Sequence, residues 1–323
     1  MARNPKLFVH GTLVEVCFRL EEGLYLTSTP EMREILISYL ARAQSLYNVN
    51  ICHFIVMSNH LHVLIVVTDP QHVKNFVCYF KRETAHAINR LLDRRRHTVW
   101  CSEYDSPTIL DFDKAMDRIV YIYTNPQQAC LVDKIEQYPN LSSWKAFLSN
   151  GEEIHTKRIP RTAISPLPKR ALSMKEKKAM AISLLSKGRE DCTLVITPNA
   201  WFSCFPETVN ASADDIRSLA ITRIKQKEKE LREVRTRPVI GDHALRLQSF
   251  TKPHKPKKFG KKMICLSSFS NYRKAFIKWF RSYCSGADHW AHICPPGMFA
   301  PGGFLYANLL PFIVPIMGSA SNG

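Results

Sequence analysis

The sequence predicts an α+β fold, in which a ferredoxin-like antiparallel sheet with helices on one face precedes a basic, mainly helical C-terminal extension. In the first half of the chain, short apolar runs and segments with helical spacing follow each other in the order β-α-β-β-α-β, and one more helix comes after them. Beyond residue 150, prolines stand among lysines and arginines, and the periodic segments that remain are helical. We therefore expect two domains, 1–150 and 151–323.

Local signals place the elements of the first domain. The run LVEVCFRL alternates as a strand does, and Thr29 and Pro30 suit the N-cap and the first position of a helix. Two apolar runs on either side of the turn at 58–59 predict a hairpin, and Asp69 opens a long helix. In chain order we expect a strand at 11–20, a helix from Pro30, strands at 51–56 and 61–67, a helix from Pro70 to about Arg94, a strand at 99–102 and a helix over 111–124.

The extension contains three helical segments. Ser173 and Glu176 form a capping box that opens the first of them, which ends near Gly188. The second runs from about residue 212 to residue 234, and the third is the amphipathic segment FSNYRKAFIKWFRSY before Gly286. The extension is therefore a folded, helical region joined to the first domain by a basic, proline-containing linker.

The charge of the chain is large and unevenly distributed. The formal net charge is +17, from 45 basic and 28 acidic side chains. Residues 1–150 contain 16 of the basic and 15 of the acidic side chains, and the remaining residues contain 29 and 13. This distribution predicts that the neutral first half contains the functional site and that the basic second half binds a polyanion, of which nucleic acid is the commonest.

Cysteine usage and hydropathy indicate the compartment. The ten cysteines include no Cys-x-x-Cys pair and no small-domain disulfide framework, and the opening MARNPKLFVHG has no long apolar core. The apolar stretch at 304–317 is shorter than a bilayer span and is broken by Pro311 and Pro315. We expect a cytoplasmic protein, associated with the nucleoid through its charge, without a membrane segment.

Two histidines two residues apart are the first candidate ligands. His60 and His62 begin a predicted buried strand, where side chains at i and i+2 point to the same face and Leu61 points into the core. A sheet presents two nitrogen ligands to one metal in this way, leaving other positions for substrate oxygen and water. A His-x-His pair alone is weak evidence, since such pairs are more often structural or incidental.

A tyrosine and an asparagine four residues apart are the second pair. Tyr121 and Asn125 share one face of the predicted helix, whereas Tyr123 points elsewhere. The Asn125 amide oxygen can complete a metal's ligand set, and the Tyr121 phenol is a nucleophile once its proton is lost. A buried tyrosine packed on the sheet beside a capping asparagine fits this spacing equally well, and Pro126 predicts a break or kink just after it.

Two longer motifs resemble those of a known family. The run HFIVMSNHLHVLI resembles the His-hydrophobic-His (HUH) signature of single-tyrosine transposases. The run YIYTNPQQACLV is similar to the Tyr-Ile-x-x-Asn-Pro-x-x-Ala-Gly-Leu-Val of the REP-associated tyrosine transposases (RAYT), relatives of the insertion-sequence-200-like elements. The resemblance covers about residues 5–150. Cys130 stands where the family has a glycine that tolerates left-handed geometry at the helix end.

The resemblance implies a mechanism and assigns the residues. His60, His62 and Asn125 would be ligands of Mg²⁺ or Mn²⁺, and Tyr121 would attack single-stranded DNA to form a 5′-phosphotyrosyl intermediate. A second strand's 3′-hydroxyl would reverse the step. Such enzymes recognise imperfect hairpins. Some are homodimers that swap the tyrosine helix and others act as monomers, and the sequence does not distinguish between these two states.

Basic residues outside these motifs are candidate phosphate contacts. On and after the second helix, each cation either meets DNA or belongs to a solvated face and a helix C-terminus that favours positive charge. The candidates are Lys81, Arg82, Arg94, Arg95 and Arg96 there, and Lys257, Lys258, Lys261 and Lys262 in the loop TKPHKPKKFGKK. Two functions remain as alternatives to the strand transferase: a domesticated DNA-binding protein without chemistry, and a metal-dependent nuclease that forms no covalent intermediate.

Overall fold

One mixed sheet of seven strands organises the computed structural model. The structure describes residues 6–21, 29–95, 97–170, 172–188, 190–208, 210–248 and 263–293, with side chains described as far as residue 285. The strands are β1 (Leu13–Arg19), β2 (Asn50–Val56), β3 (His60–Val66), β4 (Thr108–Ile109), β5 (Glu152–Arg158), β6 (Glu190–Ile196) and β7 (Cys265–Leu266). Their spatial order is β5-β6-β2-β3-β1-β4-β7.

Helices cover both faces of the sheet. They are α1 (Pro30–Tyr47), α2 (Pro70–Leu91), α3 (Phe112–Gln128), α4 (Trp144–Leu148), α5 (Met174–Ser186), α6 (Ala213–Val234), α7 (Asp242–Arg246) and α8 (Ser270–Ile293). The two helices of the ferredoxin-like unit, α1 and α2, pack on one face with Val16, Phe18 and Leu61. The additional helix α3 packs on the other face with α6, over Leu64 and Ile55. Alternate residues of the central strands therefore enter two separate cores.

The α+β class and the first elements are confirmed. The Thr29 hydroxyl accepts the Met32 N–H at the start of α1, and the Asp69 carboxylate accepts two N–H groups at the start of α2. Strands β2 and β3 form the expected antiparallel hairpin, and β1 pairs with β3 on its other side. The predicted centre of the fold is present in the predicted order.

The strand expected at 99–102 was wrong. Trp100 makes only an isolated bridge with Leu20, and the fourth strand is the two-residue β4, antiparallel to β1. Between them the chain contacts β1 at a second isolated bridge, Asp105 with Cys17. Pro107 has no N–H to donate, so the pairing with β1 is interrupted between Asp105 and β4.

Three helix ends differ from expectation. Helix α2 ends at Leu91 rather than near Arg94, because Asp93 takes a left-handed φ of 50°. Helix α3 continues through Pro126 to Gln128, so the proline does not stop it at once. Helix α8 passes the position of Gly286 and ends at Ile293.

The sheet continues across residue 150. Strand β6 pairs antiparallel with β5 and parallel with β2, and β7 pairs with β4, so strands from both halves of the chain share one sheet. The DNA-binding role of the second half stays a prediction, and the apolar stretch at 304–317 lies outside the described residues. In the described part of the chain, no helix is long and apolar enough to cross a membrane.

Candidate active site

The site lies on the sheet face that α3 covers. In β1 and β3, cross-strand register pairs Cys17 with His62 and Arg19 with His60. The neighbours of these residues along β3, Leu61 and Val63, enter the opposite core below α1 and α2. The alternation of the strand therefore turns both imidazoles to the same face, as the spacing predicts.

The two imidazoles are adjacent, and their partners define which nitrogen carries the proton. Their ring centroids are 4.9 Å apart. His60 Nδ1 lies 2.7 Å from the Asn59 carbonyl oxygen Oδ1, and His62 Nδ1 lies 2.7 Å from Oε1 of Glu15. Both partners are acceptors, so each Nδ1 donates and each Nε2 is the nitrogen that can bind a metal.

Tyr121 meets the histidines from the helix above. Its ring centroid is 5.7 Å from that of His62, with the rings nearly perpendicular at 84°. The Arg118 guanidinium, one turn earlier on α3, lies 4.1 Å from the centroid of the Tyr121 ring. The half-buried phenol thus has an imidazole at one side and a cation over its face.

Glu15 connects the strand to the helix. The residue is 2% exposed, and its carboxylate accepts two hydrogen bonds from Arg118, from Nε at 2.7 Å and from Nη2 at 2.6 Å, besides the one from His62. Burial alone would raise the pKa of Glu15, but His62 and Arg118 outweigh it and lower the pKa to about 2. Glu15 is therefore a buried carboxylate that stays ionised.

The two histidines have opposite charge preferences. Burial would lower the pKa of His62, but Cys17 and Glu15 beside it raise that pKa to about 10. Burial, together with His62 and Arg19, lowers the pKa of His60 well below its usual value. His60 is therefore neutral, whereas His62 favours the protonated form, whose Nε2 proton any cation bound there would have to replace.

Asn125 is the predicted ligand that lies on helix α3. It lies one turn after Tyr121 and is 6% exposed, and its Nδ2 has no hydrogen-bond partner. The buried Nε2 of His62 likewise has none. Rotation of the amide exchanges Nδ2 with Oδ1, the atom that a hard cation binds. Partnerless buried polar atoms on the strand and on the helix are of a kind that can bind a metal, although the described residues hold no cluster of three or more His, Cys, Asp or Glu suited to one.

Tyr123 has a structural role. It is fully buried, and its hydroxyl lies 2.8 Å from His53 Nδ1 and 2.9 Å from the Ser143 hydroxyl. Burial raises the pKa of Tyr123 and lowers that of His53 to about 3. Of the two tyrosines in the motif, only Tyr121 faces the histidine pair.

The predicted phosphate contacts are not part of this cluster. Lys81 and Arg82 lie on α2, which covers the opposite face of the sheet; Lys81 donates to the Cys101 and Ser102 carbonyl oxygens, and Arg82 pairs with Glu83. Arg94 and Arg95 follow the end of α2. Arg96, Lys257, Lys258, Lys261 and Lys262 lie outside the described residues.

Two residues of the cluster were missed by sequence reasoning. Glu15 interrupts the apolar run of β1, and a lone acid in a buried strand signals a buried charge partner. Arg118 precedes Tyr121 by three residues, which places it on the same helical face. Neither signal identifies the other residue, because their pairing joins two distant segments.

The fold and the cluster define an α+β protein in which a His-x-His strand faces a tyrosine-bearing helix. Residues 25–123 match the family model described as "Transposase IS200 like". That stretch contains both histidines and Tyr121 and ends two residues before Asn125. The resemblance to the insertion-sequence-200-like transposases, expected from the two motifs, is confirmed over these residues.

Comparison with solved structures adds one similar chain. It is a REP-associated tyrosine transposase bound to a REP hairpin, with 15% sequence identity and a TM-score of 0.40, and the similarity covers 46% of this chain and 86% of that chain. No curated protein matches the chain.

Proposed function

We propose that this protein is a transposase-type DNA strand transferase that cleaves and rejoins single-stranded DNA through Tyr121. The contact of the Tyr121 ring with His62, which in turn contacts His60, carries the proposal. A nucleophile and two candidate metal ligands thus meet in one place, within a stretch that matches a transposase family. Tyr123 is fully buried, and this burial supports Tyr121 rather than Tyr123 as the nucleophile.

His60 and His62, through Nε2, and Asn125, through its amide oxygen, would hold the metal. Mg²⁺ or Mn²⁺ is the ion that the family resemblance implies, the amide oxygen is a ligand that both ions accept, and a bound ion would supply polarisation of the scissile phosphate. The protein's own contribution is to fix the ligand atoms: Asn59 and Glu15 accept the Nδ1 protons and thereby direct each Nε2 to the site.

In the proposed covalent step, Tyr121 replaces the 3′-oxygen of the DNA on phosphorus. Tyr121 Oη loses its proton to water and forms a bond to phosphorus, and the bond from phosphorus to the 3′-oxygen breaks. The 3′-oxygen takes a proton and leaves as a hydroxyl, while the 5′-phosphate remains on the tyrosine. A 3′-hydroxyl from another strand reverses these events, so strands are joined without ATP.

The proposed partner is single-stranded DNA that forms a hairpin. The protein would act in the cytoplasm, in association with the nucleoid. The net positive charge of the extension favours binding to phosphates. The similar solved transposase has a REP hairpin bound. Lys81, Arg82 and the arginines after α2 are secondary candidates for backbone contact, away from the histidine face.

A covalent assay tests the proposal. The protein is mixed with Mn²⁺ and a labelled single-stranded hairpin, and denaturing gels are examined for a protein–DNA adduct. We expect an adduct with the wild type and with Tyr123→Phe, and none with Tyr121→Phe. Tyr123→Phe is the matched control, because it removes a phenol from the same motif but not from the site.

The outcomes separate the rival functions. Cleavage without an adduct would indicate a metal-dependent nuclease, and binding without cleavage would indicate a domesticated DNA-binding protein. Either result contradicts the proposal.

A further inference from the structure

A chain of buried and partly buried contacts joins the two halves of the site. It runs from His62 to Glu15, from Glu15 to Arg118 and from Arg118 to Tyr121. The metal half lies on the sheet and the nucleophile half on α3, and Glu15 with Arg118 is the described ion pair that spans them. Its two side chains are 3% and 19% exposed.

The geometry of this pair fixes orientations. A bidentate bond between guanidinium and carboxylate sets the plane of both groups, unlike a contact through a single atom. The plane of Arg118 then limits the Tyr121 ring lying 4.1 Å from it. Oε1 of Glu15 also accepts the proton of His62 Nδ1, which limits the imidazole.

Building on the function proposed above, we infer that Glu15 and Arg118 form one positioning unit that serves both halves of the site. Glu15 directs His62 Nε2 toward the metal, and Arg118 holds the Tyr121 ring against the histidines. The placement of the nucleophile and the loading of the metal therefore depend on the same ion pair.

Two substitutions separate these effects. Glu15→Gln makes the acceptor neutral and replaces one of its two oxygens with an NH₂ group, so His62 Nδ1 and the two Arg118 donors no longer all have an acceptor and His62 loses its anionic partner. Arg118→Lys keeps a cation for Glu15, so His62 stays directed, but it removes the planar fork and the stacking on Tyr121. The first change disturbs both halves, and the second disturbs the nucleophile half alone.

The first measurement is Mn²⁺ affinity without DNA, from the paramagnetic resonance signal of the free ion. We expect Glu15→Gln to weaken Mn²⁺ binding about 10- to 100-fold, as loss of a supporting carboxylate does. We expect Arg118→Lys to remain within about threefold of the wild type, because the lysine cation still lies beside Glu15, which continues to accept the hydrogen bond from His62 Nδ1. Affinity unchanged in Glu15→Gln, or absence of saturable binding to the wild type, overturns the metal half.

The second measurement is the rate of adduct formation in a single turnover at saturating Mn²⁺. We expect Arg118→Lys to slow it by about tenfold or more, the scale on which misplacement of a reacting group acts. An unchanged rate, or a loss of metal affinity as large as the loss of rate, overturns the nucleophile half.

A third measurement needs no activity. With ¹³Cζ-labelled tyrosine, the Tyr121 resonance is the one missing from Tyr121→Phe, and we expect it to shift in Arg118→Lys. An unshifted resonance overturns the role of Arg118. If the wild type forms no adduct while this shift and the metal effect occur, the strand-transferase proposal fails and the positioning unit stands.

The matched controls use a pair of the same chemistry elsewhere. Arg158 Nη1 lies 2.9 Å from Glu190, an exposed pair joining β5 and β6. Arg158→Lys and Glu190→Gln repeat the two substitutions away from the site. We expect neither to change Mn²⁺ affinity, adduct rate or the Tyr121 resonance; equal effects in these controls would overturn the assignment.

Discussion

Glu228 of the extension is expected to stabilise the helix that carries the candidate nucleophile. It is 2% exposed on α6, and its Oε1 accepts hydrogen bonds from Gln127 Nε2 on α3 at 2.6 Å and from the Ile135 N–H at 2.7 Å. Its Oε2 lies 3.2 Å from Lys225 Nζ, which has a second partner in Glu136. The substitutions Glu228→Ala and Glu228→Gln therefore remove different numbers of interactions.

The magnitude follows from the donors left behind. Glu228→Ala leaves two buried donors without an acceptor, each costing about 1–3 kcal/mol, so we expect a loss of about 2–6 kcal/mol. In Glu228→Gln the amide oxygen can accept from both donors, and we expect a loss of about 1 kcal/mol for the missing charge. Lys225 keeps Glu136 in both variants.

Urea unfolding of the full chain, followed by circular dichroism, measures these losses. The matched control is Glu230→Ala on the same helix, where an exposed carboxylate pairs with Lys227, and we expect a change within about 0.5 kcal/mol. Equal losses for Glu228→Ala and Glu228→Gln, or a loss below about 1 kcal/mol for Glu228→Ala, would refute the hydrogen-bond accounting.

Three more predictions concern helix α3 and the division of the chain. Cys130 takes a left-handed φ of 55°, so Cys130→Gly should stabilise the chain by about 0.5–1 kcal/mol in the same urea assay, and destabilisation would contradict this. Residues 1–150 made alone should show no cooperative thermal unfolding, because α3 loses α6 and β2 loses β6; a sharp transition would show that the fragment folds. Tyr121 contacts His62 of its own chain, so mixing His62→Ala with Tyr121→Phe should yield no adduct, and restored adduct would indicate exchange between chains.

The local parts of the site were predictable because strand and helix periods are local. The two-residue period of β3 put His60 and His62 on one face, and the helical period of α3 pointed Tyr121 away from Tyr123. The contact between the strand and the helix is a tertiary contact. Only the resemblance to a family predicted that His60, His62 and Tyr121 belong to one site. The ion pair of Glu15 with Arg118 escaped for the same reason, since 103 residues separate its members.

The edge strands of the sheet, β5 and β7, could not be predicted from the sequence. Strand β5 reads EEIHTKR, and every second residue is exposed, so it has no apolar run to signal a strand. Strand β7 has two residues and pairs with β4, although Thr108 and its partner Cys265 lie far apart in the sequence. Pro126 predicted a break or kink just after Asn125, but the helix continues to Gln128. Because Pro126 lies so near the end of α3, the loss of the hydrogen bond that a proline removes costs little.

The strands that continue the sheet past residue 150 make the second half of the molecule part of the same frame as the nucleophile. A DNA-binding region that is part of the same sheet lies at a fixed distance from the nucleophile. A region joined by a flexible linker would allow many distances. On the proposed function, the nucleotides between a recognised hairpin and the cleaved phosphate should then be fixed in number. Lengthening that spacer by a single nucleotide should abolish cutting at the original phosphate rather than merely broaden the choice of site.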